Sequence, residues 1–249
     1  MDLIIATPRL KLTLVTSAER GTKELEWLHE LRSNEKATWW SVKEARKDNT
    51  VKYIWPINLY RRYGEGYQRY TTDRRTHDGA PKTYRVVYAV HMVVDPTADT
   101  AKEPAQQRNE TTRFVGVVAL VSSDANSLQL PDHLILPNPA TTTPTLSTEI
   151  SYLFLPLAWG KGYGTESVNA MFEACKRARA FWAPFANVYV RAIVNRENPA
   201  SLKVMAKTGM VERGVYEWSG EPIFLAGEWT VRSTLHIFGR LLVRDGEAE

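Results

Sequence analysis

The sequence has little cysteine, little net charge and no long apolar run. It holds one cysteine in 249 residues, which excludes a disulfide framework and fits a reducing compartment. No apolar run approaches the ~18 residues that span a bilayer. The apolar stretch at 3–6 is too short for a signal peptide, so we expect a cytoplasmic protein without membrane contact. The net charge is +4, from 32 basic and 28 acidic residues, and charge therefore does not predict a nucleic-acid partner.

The histidines and the cysteine also lack the spacing of a metal site. His29 and His133 are not at ligand spacing from each other or from Cys175, so we expect no metal ion. Cys175 lies on the apolar stripe of a predicted helix, which favours a buried side chain over a nucleophile. With 43% hydrophobic residues, the chain is long enough to bury one sizeable core, and we expect a single domain over 1–249.

The most informative segment is a glycine-rich turn between a predicted strand and a predicted helix. The strand covers 149–155, is apolar and aromatic, and ends at Pro156. Apolar residues at helical spacing then predict a helix that opens near Thr165. Glycines stand at alternate positions of 160–164. Such a turn is an anion cradle, because first-turn amides are unpaired and the helix dipole is positive there. We therefore expect a phosphorylated ligand.

The spacing of these glycines excludes two common phosphate loops. A dinucleotide fingerprint needs a further glycine where Thr165 or Ser167 stands, and residues 165–167 also fail the P-loop pattern. Residues 159–166 (WGKGYGTE) instead resemble the pyrophosphate loop of the GNAT acyltransferases. They are most similar to the branch that acetylates ribosomal-protein N-termini, where Trp often holds the position of Trp159. The alternative is a helix start that needs glycine only for close packing.

A second motif, downstream of the first, resembles the same family. Residues 195–210 match the family pattern N-x-x-S-x-x-x-x-x-K-x-G-F at Asn198, Ser201, Lys207 and Gly209. Physically, Asn198 is an N-cap followed by proline at the first helical position, and Gly209 is a C-cap glycine. Any capped helix could show this pattern, but two such motifs in the family's order favour the family.

The resemblance implies a single GNAT-type α/β domain, with a central, mostly antiparallel twisted sheet flanked by helices and splayed at the acyl-CoA site. The order of predicted elements agrees with it. Further strands are predicted at 9–15, 84–94, 113–122, 188–194 and 228–238, with helices at 23–32 and from 39 to about 48. Loop insertions are expected at about 56–81, 95–111 and 124–147.

The ligand that the resemblance implies is acetyl-CoA, or another acyl-CoA, as co-substrate. Its pyrophosphate would lie on the amides of the turn, with Lys161 adding positive charge. Freed backbone groups of the splayed strand would pair with the pantetheine arm. The residues implied for the cofactor are Leu153, Phe154, Leu155, Trp159, Gly160, Lys161, Gly162, Tyr163, Gly164, Thr165, Asn198 and Ser201.

The resemblance also implies catalytic residues. An ammonium substrate must lose a proton before attack, and Glu149 is the candidate base; the alternative is a carboxylate that faces solvent or a cation on the strand. Glu166 is a weaker candidate, because a first-turn carboxylate is favoured by the helix dipole alone. The family commonly reprotonates the thiolate with a Tyr four residues before the last glycine, where this chain has Met205. In the branch with Ser three places after Asn, that Ser is the partner of the CoA sulfur, which implies Ser201.

The acceptor side is implied less directly. Trp39 and Trp40 are expected to line the acceptor cleft with one ring. His91 alternates within a strand and could face that cleft, although a satisfied core histidine is the alternative. An aromatic and basic stretch at 53–75 predicts either a flap or RNA-binding surface, or an ordinary loop with snorkelling arginines.

Together these observations predict an N-acetyltransferase that moves acetyl from acetyl-CoA to a primary amine by direct attack in a ternary complex. The acceptor is either a protein N-terminus or a small-molecule amine, and the long insertions leave that choice open. One alternative is a non-catalytic CoA-binding or RNA- or ribosome-associated module on the same fold. A nucleotide-binding enzyme that uses the turn for ATP or NAD is a third.

Overall fold

The computed structural model describes residues 1–41, 43–45, 51–53, 83–94, 111–123, 127–135 and 143–246. Ten strands in these ranges form one sheet: β1 (Ile4–Ala6), β2 (Leu10–Leu14), β3 (Lys43–Ala45), β4 (Val51–Tyr53), β5 (Arg85–Val94), β6 (Thr111–Ser122), β7 (Thr145–Phe154), β8 (Asn187–Asn195), β9 (Val211–Leu225) and β10 (Glu228–Val243). The helices are α1 (Lys23–Ser33), α2 (Asp132–Ile135), α3 (Tyr163–Arg177), α4 (Arg179–Trp182) and α5 (Pro199–Lys207), with a 3-10 turn at Pro156–Ala158. None of the described helices is both long enough and apolar enough to span a membrane.

The strand order is β1-β2-β5-β6-β7-β8-β10-β9-β3-β4. All neighbouring strands are antiparallel except β7 and β8, which are parallel. The parallel pair arises because the chain leaves β7, crosses through α3 and α4, and returns along β8, as a parallel connection requires. The predicted mixed α/β class with a mostly antiparallel sheet is confirmed.

β7 and β8 separate part of the way along their length. In the described part of the chain their register runs from Thr145 to Glu149 on β7, opposite 187–191 on β8, and stops there. β7 continues to Phe154 and stays paired with β6 over that stretch. The edge of β7 that faces β8 is therefore open over 150–154, and a cleft lies between the two strands.

The two largest buried apolar clusters lie on opposite faces of the sheet. On one face, Met171 and Phe172 of α3 and Met205 of α5 are fully buried. On the other face, Leu28 and Leu31 of α1 pack in a second buried cluster. The cleft between β7 and β8 is thus bordered by α3 and α5 on one face of the sheet.

The predicted start of α3 near Thr165 agrees with the structure to within two residues, whereas the predicted start of β7 is wrong. α3 begins at Tyr163, two residues before Thr165, because Gly162 takes a φ of 80° and serves as the N-cap. β7 begins at Thr145 rather than at 149, and the loop expected at 124–147 also contains α2. The first residues of β7 are polar and follow a proline- and threonine-rich segment, which hides the alternation of a half-buried strand.

The predicted helix from 39 to 48 is also wrong, since β3 lies at Lys43–Ala45 and pairs with β9. β9 was not predicted. About half of its side chains are exposed, and its half-buried residues, among them Tyr216 and Trp218, are interrupted by glycines and charged residues. β10 runs five residues beyond the predicted 228–238. Most of the expected insertions fall outside the described residues. Of 56–81 and 95–111 only Thr111 is described, as the first residue of β6.

Candidate functional site

The glycine turn leads from β7 into the N-terminus of α3. Gly160 and Gly162 have φ of 72° and 80°, a region that glycine occupies without strain. A Cβ on Gly160 would meet nothing within 4 Å, and one on Gly162 would meet only Arg9, at 3.5 Å. Close packing therefore does not explain these two glycines. No side chain caps α3, so its first-turn amides are available to a ligand or to water.

The turn is held in place by Arg9, which precedes β2. Its Nη1 donates to the carbonyl of Lys161 at 2.9 Å, and its Nε donates to Oε2 of Glu166 at 2.8 Å. The hydroxyl of Thr7 donates to Oε1 of the same carboxylate at 2.6 Å. Burial alone would raise the pKa of Glu166, but the hydrogen bonds from Thr7 and Arg9 and the charge of Arg9 lower it overall. Glu166 is therefore an ionised partner of Arg9, which does not favour a role as base.

The other residues predicted for the cofactor lie around this turn. The indole N–H of Trp159 donates to the carbonyl of Phe154 at 2.8 Å, while half of the Trp159 side chain is exposed. Lys161 is exposed, Tyr163 lies beneath the guanidinium of Arg9 at 5.2 Å, and Thr165 belongs to the first turn of α3. The structure thus brings the whole turn to one end of the cleft.

The open edge of β7 presents a different set of backbone groups from the predicted set. The amide of Leu155 donates to the carbonyl of Val115 on β6 at 2.9 Å. Antiparallel pairs alternate between bonded and non-bonded, so Leu153 and Leu155 direct their backbone groups to β6. Tyr152 and Phe154 direct theirs to the cleft. The prediction that the backbone groups of Leu153 and Leu155 are free for a ligand is wrong, because the register of β7 with β6 turns these groups toward β6.

Glu149, the candidate base, is the last residue of β7 that pairs with β8. Its Oε2 accepts from Nε of Arg191 at 3.1 Å, and Nη2 of Arg191 lies 3.0 Å away. The side chain of Arg191 is 6% exposed and that of Glu149 is 37% exposed. The carboxylate therefore reaches from a buried guanidinium to solvent at the point where the strands separate. The contact with Arg191 matches the alternative interpretation, in which Glu149 faces a cation on the strand, and the Glu149 side chain stays partly exposed.

Helix α5 borders the cleft opposite the open edge of β7. Oδ1 of Asn198 accepts from the amide of Ser201 at 3.1 Å and caps the helix, so the predicted N-cap is confirmed. The hydroxyl of Ser201 lies 2.6 Å from the hydroxyl of Tyr152. Burial raises the pKa of Tyr152 to about 12, against the smaller effect of the hydrogen bond with Ser201. Met205 is fully buried and has no hydroxyl.

Tyr152 is a residue of the cleft that the sequence analysis missed. It is separated from Ser201 by 49 positions, and no local pattern links the two. The sequence could have indicated Tyr152 only through its position near the end of the predicted strand, where every second side chain faces α5.

The residues predicted for the acceptor are not brought together. The ring of His91 is buried and packs edge-to-face against Trp27, with ring centroids 4.4 Å apart, and burial lowers its pKa. His91 is therefore a core residue, as in the alternative, but it is not fully satisfied, because its Nδ1 is buried without a hydrogen-bond partner among the described residues. Trp39 packs against Gly227 in the turn between β9 and β10, and Trp40 is half-buried. β5, which carries His91, and the β9–β10 turn lie on opposite sides of the cleft in the strand order.

Residues 12–211 match the family model described as an acetyltransferase (GNAT) domain. No curated protein matches the sequence.

Solved structures with a similar fold include three acetyltransferases at low sequence identity. The ribosomal-protein-S5-alanine acetyltransferase from Vibrio fischeri is 15% identical, with a TM-score of 0.51 and 100% of both chains covered. The spermidine N-acetyltransferase from Vibrio cholerae, in complex with CoA and spermine, is 19% identical, with a TM-score of 0.47 over 93% of this chain and 95% of that one. A GNAT-family acetyltransferase from Bacillus anthracis is 14% identical, with a TM-score of 0.46 over 96% and 98%. The first of these shows the shared fold.

Proposed function

Since the chain belongs to the GNAT acetyltransferase family, we propose that the cleft between β7 and β8 binds acetyl-CoA and that its acetyl group passes to a primary amine. The observation that carries the proposal is the juxtaposition of two features. The uncapped N-terminus of α3, with its glycine turn, lies at one end of an open strand edge. A phosphorylated ligand with a long, amide-containing arm matches both features.

The proposed cofactor site uses the turn for phosphate and the strand for the arm. The pyrophosphate lies on the amides of residues 160–165, where the helix dipole favours negative charge. Lys161, which is exposed, adds a cation. The amides and carbonyls of Tyr152 and Phe154 that face the cleft are the candidate partners of the pantetheine arm, except the Phe154 carbonyl, which Trp159 already occupies.

The proposed chemistry begins with a proton transfer. Oε1 of Glu149, directly or through a water molecule, takes a proton from the acceptor ammonium. The free amine attacks the thioester carbonyl, and an amide of the open strand, from Tyr152 or Phe154, donates to the developing oxyanion. The carbon–sulfur bond then breaks and the thiolate leaves on the side of Ser201. Because the thioester is already activated, holding the amine beside it supplies much of the rate.

We propose that the acceptor is a protein N-terminus or a small-molecule amine, the two classes that the sequence analysis left open. The similar structures include a ribosomal-protein alanine acetyltransferase and a spermidine acetyltransferase, which makes both classes worth assaying. The cytoplasmic location remains part of the proposal. It is supported by the free and buried Cys175, which suits a reducing compartment.

The test is thiol release from acetyl-CoA in the presence of single amines. The panel holds peptides that begin with alanine or serine, spermidine and a lysine derivative, each against an N-acetylated control. We expect release that depends on one class of amine and is absent with its acetylated form. Binding of acetyl-CoA without release in the presence of any of these amines would instead favour the non-catalytic module.

A further inference from the structure

We propose that Tyr152 is a positioning residue of the acyl-transfer step, whose hydroxyl orients that of Ser201 so that Ser201 donates to the leaving sulfur. The inference rests on the proposed function, because it takes the cleft between β7 and β8 as the acyl-CoA site. It adds a side chain of the strand to a step that the sequence analysis assigned to α5 alone.

The hydroxyl pair joins the two walls of the cleft. Tyr152 stands on the open edge of β7, three residues beyond the last rung with β8 at Glu149. Ser201 stands in the first turn of α5, beside the Asn198 cap. The two oxygens are 2.6 Å apart, a short hydrogen bond between hydroxyls. The ring of Tyr152 packs against the core beneath α3 and α5, so the phenolic oxygen has a fixed place.

In the proposed arrangement, the phenol of Tyr152 is the donor of this pair. Burial raises the pKa of Tyr152 to about 12, so its proton is retained at neutral pH. The other acceptor near that proton is the Ser201 carbonyl, at 3.5 Å, which is beyond the usual range for O–H···O bonds. The distance lets either hydroxyl donate, and the proposed arrangement takes the phenol as the donor to Oγ of Ser201. A hydroxyl that accepts this bond keeps its own proton free to point elsewhere, and the cleft lies beside it.

The free Ser201 proton can stabilise the leaving sulfur when the tetrahedral intermediate collapses. The carbon–sulfur bond breaks, its electron pair moves to sulfur, and the Ser201 hydroxyl donates a hydrogen bond to the resulting thiolate. Neither hydroxyl is deprotonated. The thiolate takes its proton from water, and the protons lost by the amine pass through Glu149 to solvent. A phenol with a pKa of about 12 is a weak proton donor to a thiolate, which is why orientation is the role that fits Tyr152.

The test measures the thiol pKa of bound CoA, from the ultraviolet absorbance of the thiolate against the complex with desulfo-CoA. The variants are Tyr152→Phe, Ser201→Ala and the double variant. Tyr88→Phe is the matched control, because it removes another buried hydroxyl from the same core, bonded to the Asp2 carbonyl at 2.7 Å. We expect the bound thiol to titrate below free CoA in the wild type and in Tyr88→Phe. In both single variants its pKa should rise by about one unit, as expected for one lost hydrogen bond to a charged acceptor.

The double variant separates positioning from an independent effect. If Tyr152 acts through Ser201, the double variant has the thiol pKa of Ser201→Ala, and kcat falls about tenfold in all three variants. The Kd for CoA should then be the same for the double variant as for Ser201→Ala. Additive effects, or a Tyr152→Phe variant equal to the wild type, overturn the inference and leave the proposed function standing. Absence of CoA binding to the folded wild type overturns both.

Discussion

Replacement of Glu149 by glutamine separates the two roles that its carboxylate has at the point where β7 and β8 diverge. The carboxylate is the ion-pair partner of Arg191, at 3.0 Å, and the proposed base for the acceptor ammonium. Glutamine keeps an oxygen that can accept from Arg191 but cannot take a proton. Alanine removes both functions, and comparing the two variants assigns a cost to each.

The exposure of the two side chains determines the expected effect on stability. Arg191 is 6% exposed, so removing its partner leaves a buried charge without compensation. Such a loss costs about 3–5 kcal/mol in fully buried pairs. Glu149 is 37% exposed, so water screens the pair and the lower end of that range applies to Glu149→Ala. Glutamine preserves one hydrogen bond and should cost about 1–2 kcal/mol. Urea unfolding followed by tryptophan fluorescence measures both values.

The effect of Glu149→Gln on activity should depend on pH. Loss of a general base lowers the rate by about 100-fold or more, and we expect this for Glu149→Gln with an unchanged Kd for CoA. The loss should shrink as pH rises, because a larger fraction of the amine is then unprotonated without help. The assay is thiol release at saturating acetyl-CoA across a pH series.

A Glu149→Gln variant within about twofold of the wild type across the series would show that the carboxylate serves only Arg191. Equal stabilities of the alanine and glutamine variants would contradict the structural role.

Three further predictions concern the turn and the strand behind it. Arg9→Met removes the guanidinium donors to the Lys161 carbonyl and the Glu166 carboxylate but keeps the bond from Thr7 to Glu166. We expect calorimetry to show CoA binding weakened about tenfold; unchanged affinity would contradict a role for Arg9 in holding the turn. The pKa of Glu166 lies below its ordinary 4.5, so its stabilisation is complete above that pH and is lost as pH falls through the folded-state pKa; urea unfolding of Glu166→Gln should lack this acid-side loss. Gly116→Ala places a Cβ against the Leu153 carbonyl and 2.5 Å from the ring of Phe154, so the backbone of β7 must shift and the variant should lose about 3 kcal/mol or more. An unaltered urea midpoint would contradict this.

Features that depend on local backbone requirements were predictable from the sequence. The glycines at 160 and 162 have positive φ, and Asn198 caps α5 through a bond three residues along the chain. Each is determined by a few neighbouring residues. The same holds for α1, which was predicted at 23–32 and is found at Lys23–Ser33.

Features that depend on partners distant in the sequence were not predictable. β9 alternates only briefly, at Tyr216 and Trp218, and is held along its length by pairing with β10 and β3. The direction of the backbone groups of Leu153 and Leu155 depends on the register with β6. The pairing of Tyr152 with Ser201 joins positions 49 residues apart. None of these has a signal within a local window of sequence.

Calorimetric titration of acetyl-CoA into the wild type, Gly162→Asp and Gly162→Asn tests the cofactor site most directly. Both substitutions place a side chain of the same size at a φ of 80°, which Asn and Asp tolerate better than most residues, so they differ mainly in charge. We expect micromolar binding to the wild type, a modest loss for asparagine and a further loss of at least about tenfold for aspartate, whose carboxylate repels the pyrophosphate. Equal affinities of the two variants, or no binding to the folded wild type, would contradict a pyrophosphate site on the turn.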